Sequence, residues 1–432
     1  MGAAQASRRR WLVFAPPIFC FCFFLGCTET LPNYPPAYRE YAYVTNGRSN
    51  EVSVIDLLTL KSVKRIPVGD GPTGIAANPK KNEIYVVNSA SNNLSIIDAE
   101  RNVVVATIGL HRSPHFVDLT PDSRRAYIAN SGSANVSVVD LENRKVVGII
   151  PVGRSPGMAR VSPDGKSALA ANRGEGTVSV IDTDALQVRA TVSVCKTPEE
   201  IVFLADSSKA FISCSVDNEV AVVQLRHEAP QPAGTPATGA SEAKQDSRRK
   251  RPKSADRDAK QSAGDDAPEN RDRLLTLLDV GKTPMHLALK PDGGEIFVSN
   301  FGSDSVSEVL TGTNEVNSTH LMGPGPVRSL VTADNSLLYV SNFNGNTVSI
   351  YSIDDGKLVQ TVAVGARPDA LALNPSEQYL LVLDSGSGDV AVIRNDGDVK
   401  PPKKSFILFT MIPVGLDPRQ IVVKAFMLRK PE

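Results

Sequence analysis

The chain has only five histidines and one tryptophan in 432 residues, so the side chains able to do acid–base or ion-pair chemistry can be placed one by one. The most suggestive of them stand just after a recurring proline. His115 follows Pro114, Glu199 and Glu200 follow Pro198, and His286, Arg328 and Gln420 are each second after Pro284, Pro326 and Pro418. In the other copies the second position holds Gly74, Phe116, Met158 and Ala370. A position that only builds scaffold has no need to range from glycine to arginine. His115, Glu199, Glu200, His286, Arg328 and Gln420 are therefore expected to form a mixed-charge ring that could hold a ligand by hydrogen bonds and ion pairs. The plainer alternative is ordinary variation around a solvated surface.

Signatures of catalysis are missing, and no catalytic residue is assigned. There is no His/Cys cluster with metal-ligand spacing and no Cys-x-x-Cys-His for haem attachment, so neither a metal nor another cofactor is expected. His111 and His115 are four apart, but a strand-and-turn context gives them no common helical face. The glycines near Gly302 and in Gly386-Ser387-Gly388 open no helix, so they are turns rather than phosphate loops.

The elements that position these residues are repeats. A strand-ending residue recurs as Asn46, Asn88, Asn130, Asn172, Cys214, Asn300, Asn342 and Asp384. The spacing is 42 throughout except for 86 between Cys214 and Asn300, which is 42 plus an insertion of 44. The prolines at 72, 114, 156, 198, 284, 326, 368 and 418 give the same eight copies independently. Each copy holds four short strands divided by turn residues such as Asn46-Gly47 and Pro163-Asp164-Gly165. Asp56, Asp98, Asp140 and Asp182 end the second strands, where they read as turn caps rather than a metal array. A period near 42 built from antiparallel strands predicts propeller blades.

The opening copy carries Tyr43-Val44-Thr45-Asn46 followed by Val52-Ser53-Val54-Ile55-Asp56. These residues resemble the YVTN family of β-propeller repeats, and the resemblance runs over nearly all of residues 41 to 427. It implies an all-β propeller. Family members are often seven-bladed, and the repeats here count eight, so eight four-stranded blades are expected, with seven as the alternative. The chain starts with the first three strands of a unit and ends on a fourth, Ile421 to Phe426, so the last strand is expected to close the ring by joining the N-terminal blade. The strand after the proline should be innermost. Its third and fifth residues, such as Ile75 and Ala77 or Leu287 and Leu289, should pack between blades, and its second should face the channel mouth.

Cys195 and Cys214 both fall in one strand pair, at positions elsewhere held by Gly and Asn. A hairpin turning near Asp206-Ser207 brings them to the same end of adjacent strands, which suggests a disulfide in an oxidising compartment. Two free thiols are the alternative.

The rest of the chain reads as an address, a tether and a loop. Arg8, Arg9 and Arg10 precede an apolar run, Trp11 to Leu25, that is short for a membrane span and suits a secretory signal. The run ends Leu25-Gly26-Cys27, which resembles a bacterial lipoprotein signal. That resemblance implies residues 1–26 as signal peptide, lipidation of Cys27, export, and anchoring at an outer membrane or cell surface. Residues 27–40, with Pro32, Pro35 and Pro36, form the tether, and 41–428 the propeller. The insertion, 228–271, has no Val, Ile, Leu or aromatic residue from Ala229 to Asn270 and is expected to be disordered. Its basic cluster, Arg248, Arg249, Lys250, Arg251 and Lys253, could touch an anionic surface. Lys+Arg 47 balances Asp+Glu 47, so no nucleic-acid partner is expected. Together these point to an envelope-tethered, non-catalytic scaffold for an envelope protein, a polysaccharide or another cell-wall partner. The alternatives are a lactonase-like hydrolase using His286, Arg328 and Glu200, or an accessory subunit of a periplasmic dehydrogenase.

Overall fold

The computed structural model describes residues 34–226, 271–395 and 405–428. The signal segment, Cys27, residues 28–33 of the tether and the basic cluster at 248–253 lie outside the described residues, as does the insertion except for residue 271.

Eight four-stranded antiparallel sheets make up the described chain, with a single 3-10 turn at Phe301–Ser303. Each sheet is one blade. The strand that follows the recurring proline begins a blade, so the sequence repeat is offset from the blade by one strand. Numbering the blades from the N-terminal one, the first strands of blades 2 to 8 are Pro72–Ala77, Pro114–Leu119, Pro156–Val161, Pro198–Phe203, Pro284–Leu289, Pro326–Val331 and Pro368–Leu373. Each packs on the corresponding strand of the next blade, all the way round. They are therefore the innermost strands, and their side chains reach solvent only through the central channel.

Blade 1 is assembled from both ends of the chain. Tyr38–Asn46 pairs antiparallel with Pro418–Met427, from Tyr38 opposite Met427 to Thr45 opposite Gln420. Residues 38–40 thus extend the closing pair. Further bonds secure the join: Gly47 N–H to the Asp417 carbonyl at 2.8 Å, and Leu416 N–H to Ser49 Oγ at 2.7 Å. Closing the ring this way removes the free sheet edges at the two ends of the repeat array.

The two middle strands of a blade are covered on both faces by neighbouring blades. Ile84-Tyr85-Val86-Val87 and Leu94-Ser95-Ile96-Ile97 are almost wholly buried, which explains why the first reads as a continuous apolar run; the alternation of the second comes from Ser95, a buried partner of Asn88 rather than a solvent-facing residue. Odd-numbered positions of the inner strands pack into these interfaces. Ile75 joins residues of blade 1, and Val117 joins residues of blade 2.

The recurring asparagine works differently from a left-handed turn residue. It is fully buried at the strand end, and its amide donates across the sheet to a serine seven residues on, as in Asn46 to Ser53 and Asn300 to Ser307, both 2.9 Å. Positive φ falls four residues later, at Asn50 and Asn92 for example. The strand-ending aspartates do cap turns. Asp98 Oδ1 accepts the N–H groups of Glu100 and Arg101 at 2.8 and 3.1 Å.

Candidate functional site

Charged side chains from the inner strands of consecutive blades meet in the channel. Glu200 of blade 5 is the hub. Its Oε1 accepts from Arg160 of blade 4 at 3.1 Å, and its Oε2 accepts from Arg328 of blade 7 at 3.4 Å. Arg328 therefore reaches past blade 6, which carries His286. The Arg160 guanidinium also lies over the Phe116 ring of blade 3, 5.2 Å from its centroid. Behind it, Asp118 Oδ2 accepts the Val161 N–H at 2.8 Å.

The alternation of a strand explains the convergence. Residues two and four after the proline share a face. Glu200, His286 and Arg328 occupy the second position, and Arg160 and Asp118 the fourth. Elsewhere the fourth position is apolar, namely Ala76, Val202, Ala288, Leu330, Ala372 and Val422. Two charges in an otherwise apolar column were a legible signal for Arg160 and Asp118, and sequence reasoning passed over it.

Electrostatics sort these groups into fixed roles. Burial alone would raise the Glu200 carboxyl, but positive charge from His286 when protonated, Arg160 and Arg328 outweighs it and holds the group below the ordinary carboxylate range. Burial lowers His286 to about 4, with Arg328 and Arg160 adding to the effect and Glu200 opposing it. His286 is thus neutral at physiological pH. Its Nδ1 accepts the Ser329 N–H at 3.3 Å and lies 3.4 Å from Ser329 Oγ. Accepting at Nδ1 puts the ring proton on Nε2.

A second tier lies at the rim, one residue after each proline. Glu199 pairs with Arg173, which crosses the face of Gly157; a β-carbon on Gly157 would overlap the Arg173 guanidinium. Burial raises the Glu199 carboxyl against the opposing pull of Arg173. His115 is lowered by burial and then by Arg173 and Arg419. Burial raises Asp369 also, with Arg328 and Arg419 opposing.

The structure thus brings Glu200, His286 and Arg328 together and puts Glu199 and His115 at the rim above them. Gln420 has a different job. Its Oε1 accepts the Ile75 N–H at 3.0 Å, stitching blade 1 to blade 2. Cys195 and Cys214 are joined by a disulfide, Cα to Cα 6.0 Å, three residues before Pro198. Among the described residues no cluster of three or more His, Cys, Asp or Glu side chains is arranged to hold a metal. No helix among them is long and apolar enough to cross a membrane.

The fold and this channel define an eight-bladed β-propeller with a charged inner mouth. Two family profiles match parts of it: the Cytochrome D1 heme domain over residues 78–205, and the Lactonase, 7-bladed beta-propeller over residues 330–406. No curated protein matches. Among solved structures, the dihydro-heme d1 dehydrogenase NirN superimposes with a TM-score of 0.64 at 12% identity, covering 88% of this chain and 74% of that one. Hydrazine synthase of Kuenenia stuttgartiensis gives 0.51 at 18% identity, covering 82% and 92%. A putative 6-phosphogluconolactonase from Bacteroides uniformis gives 0.53 at 16% identity, covering 82% and 98%. At such identities the likeness is one of fold, and propellers host many functions.

Proposed function

We propose that the protein is a non-catalytic β-propeller of the YVTN type, tethered at the cell envelope through lipid on Cys27, that binds an envelope protein, a glycan or a cell-wall partner at its channel mouth. One observation carries this reading: both oxygens of the buried Glu200 carboxylate are taken by guanidinium groups from two different blades. A general acid or base needs a proton affinity near the working pH and a free oxygen or nitrogen toward its substrate. Glu200 has neither, and His286 spends Nδ1 on backbone. Ser329, the hydroxyl nearest His286, is buried beneath the strand surface. Such an arrangement orients groups for recognition rather than for proton transfer. Capture from envelope extracts tests it: wild-type protein retains a specific partner, and the Glu200→Ala/Arg328→Ala variant loses it. Equal capture by the double variant rejects the mouth as the binding surface. For the anchor, wild-type protein should partition with membranes into detergent and Cys27→Ser should be released; wild-type protein found soluble rejects the lipid.

A second reading is favoured by the haem-domain match, whose residues 78–205 include His115, Arg160, Arg173 and Glu199. His115 is an imidazole at the rim whose pKa is lowered by burial and then by Arg173 and Arg419, a ligating nitrogen with cations nearby that suit tetrapyrrole carboxylates. An accessory role beside a redox enzyme would follow. Haem titration, read as a Soret shift that His115→Ala removes, tests it; an unshifted Soret band rejects it. The lactonase match spans residues 330–406, outside Glu200, His286 and Arg328, so it brings none of the candidate set with it. A screen of sugar lactones and aryl esters tests that alternative, and turnover lost in His286→Ala would support it.

A further inference from the structure

The ion pairs of the mouth share an asymmetry. The Glu200 side chain is 10% exposed, whereas Arg160 and Arg328, which hold it, are 32% and 34% exposed. Glu199 is 21% exposed against 39% for its partner Arg173, and Asp417 27% against 54% for Arg419. In each of these pairs the carboxylate is the more buried partner and the guanidinium the more exposed one. A guanidinium has five N–H donors, and a monodentate bond to one carboxylate oxygen uses one of them. His286 adds a further donor, Nε2–H, because its Nδ1 is engaged. Arg160 Nε is itself buried without an acceptor. Around Glu200 both carboxylate oxygens are engaged and the spare hydrogen-bonding capacity of Arg160, Arg328 and His286 is donor, whereas at the rim the Asp369 carboxyl, raised by burial, remains an acceptor. This happens in a chain whose overall charge is zero.

From this we infer that the group seated at the mouth is an oxyanion, a carboxylate or phosphate of an acidic envelope polymer, bridging Arg160 and Arg328 with His286 as a third donor. The inference rests on the binding reading above and adds the chemical class of ligand. Planar guanidinium forks match two-oxygen acceptors, and a site shielded by eight blades strengthens each charge-assisted bond relative to water. Glu200 positions both arginines and also competes with the ligand for them. Removing its charge while keeping its shape should free donors for the ligand.

Calorimetric titration of the folded chain with an oligogalacturonate, with inorganic phosphate and with a neutral oligosaccharide of equal length tests this. Binding of either anion, weakened about tenfold or more in Arg328→Gln and Arg160→Gln and by added salt, is the expected result. Uronate and phosphate distinguish a carboxylate from a phosphate source. Glu200→Gln should bind several-fold tighter, with a lower melting temperature in the absence of ligand because the ionised carboxylate is stabilised by both arginines. Chemical-shift perturbation at His286 in wild-type protein supplies a readout that does not depend on that variant. Equal binding of the neutral oligosaccharide, still lost in Arg328→Gln, overturns the anionic class and leaves the mouth reading intact. No binding of either anion overturns the proposal, and the envelope capture experiment then decides the mouth reading separately.

Discussion

Asp384 stands where six other blades carry asparagine, and one atom makes the difference. All six asparagines donate from Nδ2 to a serine seven positions on, and all but Asn46 also to the residue five positions on, as Asn88 does to Asn93 and Ser95 at 2.7 and 2.9 Å. For Asp384 those positions are Asp389 and Ala391, so two acceptors face each other, both Oδ1 atoms buried without a donor. A shared proton resolves the conflict. Burial first, and then Asp389, raise Asp384 to about 8, against the opposing pull of the Gly365 and Ala391 N–H groups. The folded state then binds a proton that the unfolded chain, titrating at about 3.9, has released. Stability from this pair is full below about pH 4 and is lost as pH rises through about 8. Asp384→Asn restores the donor and should raise stability at pH 8 by roughly 1–3 kcal/mol, with little gain at pH 4. Denaturant unfolding at the two pH values checks this, and equal gains at both would refute the shared proton. Asp384 was legible in the sequence as a departure from the column. Its pairing with Asp389 follows once the turn at 385–388 is located; the burial that sets the two carboxyls against each other was not legible, because it comes from neighbouring blades.

At the scale of elements, the loop leading into blade 5 is held in its own way. In most blades a glycine three residues before the proline lies flat against the strand-ending residue; a β-carbon on Gly281 would collide with Asn300, and one on Gly415 with Asn46. Blade 5 replaces that contact with the Cys195–Cys214 bond, and the strand it anchors carries Glu199 and Glu200. Reduction should cost about 2–4 kcal/mol, seen as a lower melting temperature in reductant. Cys195→Gly/Cys214→Asn rebuilds the pair used elsewhere and should recover most of that loss while becoming insensitive to reductant. A double variant no more stable than reduced wild type would show that the two locks are not equivalent. Strand pairing here followed from sequence spacing alone, since a two-stranded hairpin leaves one register once its turn is located.

The whole molecule is stabilised by closure. Each blade buries its middle strands only because a neighbour stands on either side, so an open ring exposes two such faces at once. Deleting residues 417–432 removes the strand paired with Tyr38–Asn46 and should lower the melting temperature by roughly 10 °C or more, or abolish cooperative unfolding. A truncated protein melting like the full chain would contradict closure by this strand. Circular permutants cut at the tip of another blade should keep full stability when 38–46 and 418–427 are fused by a short turn. The same geometry explains the mouth: eight inner strands standing side by side bring residues 160, 200, 286 and 328 within reach of one another across 168 residues of sequence.

The sequence by itself determined eight repeats, their four-strand composition and the ring closure, because these follow from period, turn chemistry and apolar runs, which are local and repeated eight times; the eight sheets of the structure decide eight blades over seven. It also marked the inner strands and most of the residues that face the mouth. Only the tertiary structure decided which of those residues act together. It separated Gln420, a stitch between blades, from Glu200, His286 and Arg328, and it added Arg160. The physical reason is that a hydrogen bond or ion pair between blades depends on side-chain reach and burial across a curved ring. Neither is encoded in the spacing of any single repeat.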